Sequence, residues 1–417
     1  MIFEEKTRPL PITTKMVEDA YRKVSSNGGS AGIDNVSLAD FNINLSGNLY
    51  KIWNRMSSGS YFPPAVKECE IDKSDGKKRK LGIPTVGDRI AQQVVKDYLE
   101  QRFETLFHDN SYGYRPLRSA HQALASVSEK VRQYAWVIDL DIKSFFDTVS
   151  HEKLLLALDK HVEEKWVKLY IKRWLEAPIV STDGSVRHRL GEGTPQGGVI
   201  SPLLANLYLH YTFDKWFDIN FSDLTFVRYA DDIVIHCKTE RQSYYVLDKV
   251  RARFKECNLT LHPDKTKIVY CKDYRRPAIK GKATKFDFLG FSYCPQSKKS
   301  KQGGMFLGYD CTMSKKSYTK IVGEIRKTRF DRWAKSWDDI VRLFNDKIRG
   351  WIQYYDKYRR YALKNVFHRF HNRLAQWIQN YYKKFKRSKV RSYEHLKYIR
   401  RHYPTLFYHW EIGYPIV

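Results

Sequence analysis

The chain has 417 residues, enough for two or three domains with proper cores, and its 42% hydrophobic content excludes general disorder. No apolar run approaches the roughly 20 residues that span a bilayer. The start, MIFEEKTRPL, lacks the layout of a secretory signal, so a cytoplasmic protein with no membrane partner is expected. The net charge of +28 calls for an anionic partner, and residues 298–417 alone hold 29 Lys and Arg against 9 Asp and Glu. Tyrosine and tryptophan interleave with those cations, as in RGWIQYYDKYRRY, which suits nucleic acid: cations meet phosphates and aromatic faces stack on bases.

Taken in chain order, residues 1–60 read mainly as helices broken by the loop SSNGGSAGIDNVS. A hairpin follows, KECEIDKSDGKKRKLGIP, with its turn at Ser74–Gly76. Helical patterns cover 88–107 and 118–133. AWVIDLDIKSFFD predicts a strand entering a helix, and two helices follow over 151–177. TPQGGVISPLLANLYLHYTFDKWF starts as a turn and continues as a long helix. FVRYADDIVIH predicts a β-hairpin, succeeded by a helix near 240–257 and strands around 266–271 and 286–310. This is an α+β arrangement with an antiparallel sheet. From Lys315 onward the pattern is helical: Ile340, Val341, Phe344, Ile348, Trp351, Ile352 and Tyr355 recur at the spacing of one helix face. The six cysteines form no close ligand pair and read as reduced packing residues.

Two aspartates, Asp231 and Asp232, sit side by side at the centre of an apolar hairpin. Burying one carboxylate costs several kcal/mol unless something neutralises it. A second acidic strand, VIDLDIKSFFD, presents Asp139 and Asp141 on one face, with Asp141 at the strand end. Two Mg²⁺ ions would neutralise Asp141, Asp231 and Asp232 together. Aspartate is also common at hairpin tips, so YADD alone leaves a plain turn open. Asp139 reads better as a partner in a structural salt bridge.

YADD, DIKSFFD and the intervening GTPQGGVISPLLANLYL resemble the palm motifs of reverse transcriptases. The NGGSAGIDNVS loop, RKLGIPTVGDRIAQQ, SYGYRPLRSAHQAL and IRGWIQYY narrow the resemblance to group II intron-encoded reverse transcriptases (maturases). It covers nearly the whole chain, with the motifs in the family's order.

The resemblance implies a right-hand polymerase: fingers and palm over 1–311, a helical-bundle thumb (maturase X domain) over 312–387, and a short basic DNA-binding-like tail over 388–417. It gives Asp141, Asp231 and Asp232, with the Ile142 carbonyl, to two Mg²⁺ ions, for which Mn²⁺ substitutes. Phe146 stands at the gate against a ribose 2′-hydroxyl, Phe145 fitting a core position better. Lys73 and Arg79 meet the triphosphate, although Asp72 replaces the proline more usual before that lysine. Gln196 reaches the groove of the nascent pair, and Lys265 lies near the leaving pyrophosphate. Leu289 and Gly290, in FDFLGFSY, resemble the primer grip. Gly28, Gly29 and Gly32 let the early loop pack closely on the template or on an incoming acceptor strand.

The expected partners are an RNA template, a DNA or RNA primer, dNTPs and a structured cognate RNA such as intron RNA; the oligomeric state is left open. The expected function is RNA-directed DNA synthesis together with binding of intron RNA to assist splicing and mobility. Two other readings stand beside it: a related enzyme recruited to antiphage defence or DNA repair, and a non-enzymatic RNA-binding splicing cofactor. The sequence carries no paired-cysteine HNH endonuclease segment, so second-strand cleavage is not expected of it. It has neither the VTG stretch of retron enzymes nor the altered SQ motif of diversity-generating enzymes.

Overall fold

The computed structural model describes residues 9–72, 78–300, 303–359 and 361–416. The chain forms two compact units, residues 1–130 with 134–268, and residues 131–133 with 269–417.

The first unit opens with helices Thr14–Asn27, Leu38–Ile43 and Leu45–Ser57. Thr13 and Ser37 begin the first two by accepting backbone N–H groups that would otherwise lack partners. Strands β1 (Val66–Asp72) and β2 (Lys78–Ile83) then pair antiparallel from Lys67↔Ile83 to Asp72↔Lys78. Residues 73–77 between them, Lys73 included, lie outside the described residues. A further hairpin, β4 (Ile179–Val180) with β5 (Val186–Arg187), extends this sheet to the order β2-β1-β4-β5. Strands two residues long leave no alternation to read, so this hairpin has no sequence signature.

The second sheet of this unit carries the acidic residues. β3 (Trp136–Leu140) pairs antiparallel with β7 (Asp232–Cys237), and β7 pairs on its other side with β6 (Thr225–Tyr229). Val137, Ile138, Val227, Val234 and Ile235 are fully buried. Helix Val86–Glu104 is buried on nearly every side over its first turns, Asp88, Gln92 and Gln93 included. The long helix expected after GTPQGG exists as Ser201–Leu209 and Lys215–Asn220, joined by a π-helical turn at His210–Asp214. Strand β8 (Lys267–Tyr270) spans the boundary between the units.

In the second unit β9 (Phe286–Phe288), β10 (Phe291–Lys299) and β11 (Met305–Met313) form a meander. β10 and β11 pair over their full length, from Phe291↔Met313 to Lys299↔Met305. The expected boundary at residue 311 falls within β11, two residues before its end, and the second unit holds these strands together with the helices after them. Those helices are Lys315–Lys327, Trp337–Tyr355, Lys364–Tyr381 and Lys389–His402. The predicted face of Trp337–Tyr355 is the one buried: Ile340, Phe344 and Ile348 are fully covered, with Val341, Trp351 and Tyr355 packed at the edge of the same core. All six cysteines are free thiols. Among the described residues, no helix is long and apolar enough to cross a membrane.

Candidate active site

The β6–β7 hairpin closes with Tyr229↔Asp232 paired, leaving Ala230 and Asp231 as its two-residue turn. Ala230 has φ 57°, left-handed backbone that costs a residue with a Cβ about 1–2 kcal/mol. The turn is braced from below by Gly113, where a Cβ would lie 2.4 Å from the Ala230 nitrogen. Asp231 is partly buried and Asp232 exposed. Desolvation pushes the Asp231 carboxyl above the ordinary carboxylate range; the Arg79 charge lowers it and the Asp141 charge raises it further.

The β3–β7 register brings Asp141 to this turn. Leu140 pairs with Ile233, so Asp141 follows β3 beside Asp232 at the head of β7, where antiparallel neighbours stand about 4.5–5.5 Å apart between Cα atoms. The backbone here is pinned on both flanks of an Ile142↔Leu261 bridge. The Asp141 carbonyl accepts from the His262 N–H at 2.7 Å, and the Lys143 N–H donates to the Thr260 carbonyl at 2.8 Å. Lys265 Nζ donates to the two Asp141 oxygens at 3.2 and 3.4 Å. Asp139 is one step inside the sheet, opposite Val234 and partly buried.

Among the described residues, no three His, Cys, Asp or Glu side chains are gathered closely enough to hold a metal ion, and the Asp141 carboxylate is turned onto Lys265. The donor chemistry nonetheless fits a hard divalent cation. The β3–β7 register and the β6–β7 turn bring the backbones of Asp141, Asp231 and Asp232 to one end of the sheet, and carboxylate oxygens are the donors such a cation takes.

The loop with GTPQGG ties together two further elements of the site. The Thr194 N–H donates to the Phe146 carbonyl at 2.7 Å, and the Gly193 N–H to the Val149 carbonyl at 2.8 Å. Phe146 is 9% exposed, and Phe145, its ring 5.4 Å away, is 3% exposed. On the other side of the loop the Gly82 N–H, at the end of β2, donates to the Gln196 carbonyl at 2.7 Å. A Cβ on Gly197 would lie 2.5 Å from the Gly82 carbonyl oxygen, so only glycine permits this approach. A cavity of about 290 Å³ opens beside the loop, lined by Gly82, Asp147, Arg189 and Gln196 among others. Burial pushes Arg189 there down to about 10.

The early glycine loop is held within the first unit. Arg89 donates to the carbonyls of Gly28 and Ser30 at 3.1 and 2.6 Å. A Cβ on Gly32 would lie 2.6 Å from the Thr85 Cα, and one on Gly29 2.4 Å from an Arg89 nitrogen. The close packing of Gly29 and Gly32 is therefore with the chain itself, while Gly28 faces open space. In the second unit Leu289 and Gly290 both have left-handed backbone, φ 47° and 79°. Their carbonyls accept from Tyr354 at 2.7 Å and Ser317 at 2.9 Å.

Sequence reasoning missed Tyr114. It follows Gly113, has φ 56° and is 53% exposed. Partial desolvation, then the charge of Asp231, raises its hydroxyl pKa. The only sequence signal was its place in SYGYRPLRSAHQAL, which assigns it no chemistry.

Residues 71–293 match the family described as Reverse transcriptase (RNA-dependent DNA polymerase), and residues 318–394 match the Group II intron, maturase-specific domain. The chain is 31% identical to Protein YkfC of Escherichia coli K12 over 296 residues, covering 62% of this chain and 77% of that protein. It is 35% identical to Group II intron-encoded protein LtrA of Lactococcus lactis over 194 residues, 46% of this chain and 32% of LtrA, so it spans about a third of that relative. A telomerase structure from Candida albicans overlays with a TM-score of 0.47 at 13% identity, over 92% of this chain and 70% of that one. With a match over more than half its length, the chain belongs to the reverse transcriptases, the RNA-dependent DNA polymerases, of the group II intron type.

Proposed function

We infer that this chain copies RNA into DNA at the Asp141, Asp231 and Asp232 turn and that intron RNA is its cognate structured partner. The observation that carries the reading is the β3–β7 register, which sets Asp141 beside the Asp231–Asp232 turn across 90 residues of sequence. These carboxylates and the Ile142 carbonyl would hold divalent cations, Mg²⁺ or Mn²⁺ in its stead, whose chemistry there would be to acidify the primer 3′-hydroxyl and offset charge on the reacting phosphates.

The chain's own residues do the rest. Arg79, whose charge acts on Asp231, binds triphosphate oxygens as a planar fork, and Lys73 supplies a second cation to them. The Phe146 ring fills the volume a 2′-hydroxyl would need. Gln196, fixed through its backbone to Gly82, presents its amide to the groove of the nascent pair. Lys265 supplies positive charge next to Asp141, where pyrophosphate accumulates negative charge. In the second unit the left-handed Leu289–Gly290 turn presses on the primer backbone, and the cation-rich helices bind duplex and intron RNA. The matched maturase-specific domain supports intron RNA over a defence or repair partner.

Purified protein with Mg²⁺ extends a DNA primer on an RNA template using dNTPs, and Asp231→Ala with Asp232→Ala abolishes extension. Synthesis that persists in the double variant would falsify the site. A protein that only binds RNA would give no extension from the start.

A further inference from the structure

The turn that carries Asp231 stands on a buried charge pair. Arg228 and Asp214 are both fully buried. Arg228 Nε donates to Asp214 Oδ1 at 2.7 Å and Nη2 to Oδ2 at 2.5 Å. The remaining nitrogen, Nη1, donates to Asn206 Oδ1 at 3.0 Å and to the Ala230 carbonyl at 3.1 Å. Asn206 Nδ2 donates in turn to the Gly113 carbonyl at 2.8 Å. The backbone of Arg228 is held on both sides: its N–H donates to the Asn110 carbonyl, and its carbonyl accepts from the Tyr112 N–H, each at 2.8 Å.

Stability alone does not account for this knot. A buried ion pair is weak evidence for stability, because two apolar side chains of similar volume do as well or better. What apolar side chains cannot do is bond the Ala230 carbonyl. That carbonyl belongs to the peptide plane joining Ala230 to Asp231, so fixing it fixes the direction in which Asp231 leaves the turn. The restraint is needed because Ala230 occupies left-handed backbone, where a residue with a Cβ does not rest unaided.

The π-helical turn belongs to the same device. Asn206 and Asp214 are eight residues apart, and on a regular helix at ~100° per residue they would be offset by ~80°. The wider turn at His210–Asp214 holds extra chain per revolution and reduces that offset. Both side chains then reach one guanidinium.

We propose that Arg228 is a positioning residue: anchored by Asp214 and Asn206, it holds the Ala230 carbonyl and thereby aims the Asp231 carboxylate at the divalent-cation site. The proposal rests on the reading that Asp231 is a cation ligand, so its test separates the two. Mn²⁺ binding to the full chain is followed by electron paramagnetic resonance, with fold checked by circular dichroism and thermal unfolding. Wild type binds Mn²⁺ and Asp231→Asn loses that binding; a wild type that binds none overturns both readings. Arg228→Met with Asp214→Leu removes both charges and leaves neither unpaired. In this folded double variant, and in Arg228→Lys, which keeps a charge opposite Asp214 but loses the fork, Mn²⁺ affinity falls roughly tenfold or more, as when a ligand's supporting bonds are cut. Primer extension falls with it, in kcat rather than in KM for dNTP. A purely structural role lowers the unfolding midpoint and leaves the Mn²⁺ affinity of the folded protein unchanged, and that result in either variant overturns the proposal.

Discussion

Phe146 is tied to the GTPQGG loop through its own carbonyl, which accepts from the Thr194 N–H at 2.7 Å, and its ring packs on Phe145. Phe146→Ala removes the volume that excludes a 2′-hydroxyl, and ribonucleotide incorporation measured against dNTP incorporation rises; unchanged sugar discrimination would remove Phe146 as the gate. Asp88 shows what burial alone does to a carboxylate. It is 1% exposed and pushed up to about 6 by desolvation, despite hydrogen bonds from Trp174, Tyr61 and Gln92. Because its folded pKa lies above the unfolded value, the native chain holds this proton longer. Its contribution to stability is fully present below about pH 4 and is lost as pH rises through about 6, up to roughly 3 kcal/mol. Asp88→Asn removes that dependence, so the gap between variant and wild-type unfolding free energies widens in the variant's favour over this window; a pH-independent gap would contradict the assignment.

At the scale of elements, the loop 193–198 is the joint between the β1–β2 hairpin and the sheet bearing the aspartates. Gly197 has φ 119°, and a Cβ there would strike the Gly82 backbone. Gly197→Ala therefore pushes β2 off the loop and, on the function proposed above, carries Arg79 away from the triphosphate. Steady-state kinetics should show KM for dNTP rising roughly tenfold or more, since displacement of about 1 Å costs up to 10²-fold. An unchanged KM would uncouple the two elements. What the sequence made legible follows from local physics. Alternating strands, the helix face of Ile340, Phe344 and Ile348, and the motif order are periodic or contiguous, and all appear where expected. The Arg228–Asp214 knot was hidden because a regular helical period sets Asn206 and Asp214 ~80° apart, and the π-helical turn that brings them to one guanidinium has no signal in the sequence. The packing of Gly32 on Thr85 was hidden too, because composition cannot tell a glycine that meets its own chain from one that meets a ligand.

Across the whole molecule, charge is unevenly spread. Residues 298–417 hold 29 of the 74 Lys and Arg, and those that touch phosphates release counterions when nucleic acid binds. Template–primer affinity is expected to fall by roughly 10³-fold or more between 50 and 200 mM salt if six to ten phosphates are engaged. A flat response in a binding titration would count against phosphate contacts by the helical unit.

The free cysteines offer a practical handle on the two units. Four are buried, while Cys69 in β1 and Cys294 in β10 are partly exposed, one thiol in each unit. Accessible thiols react with maleimide probes far faster than buried ones, so the unaltered polypeptide takes a dye or spin label at one position on either side. The spacing between those labels, followed during a titration with nucleic acid, reports in solution whether binding changes the separation of the two units.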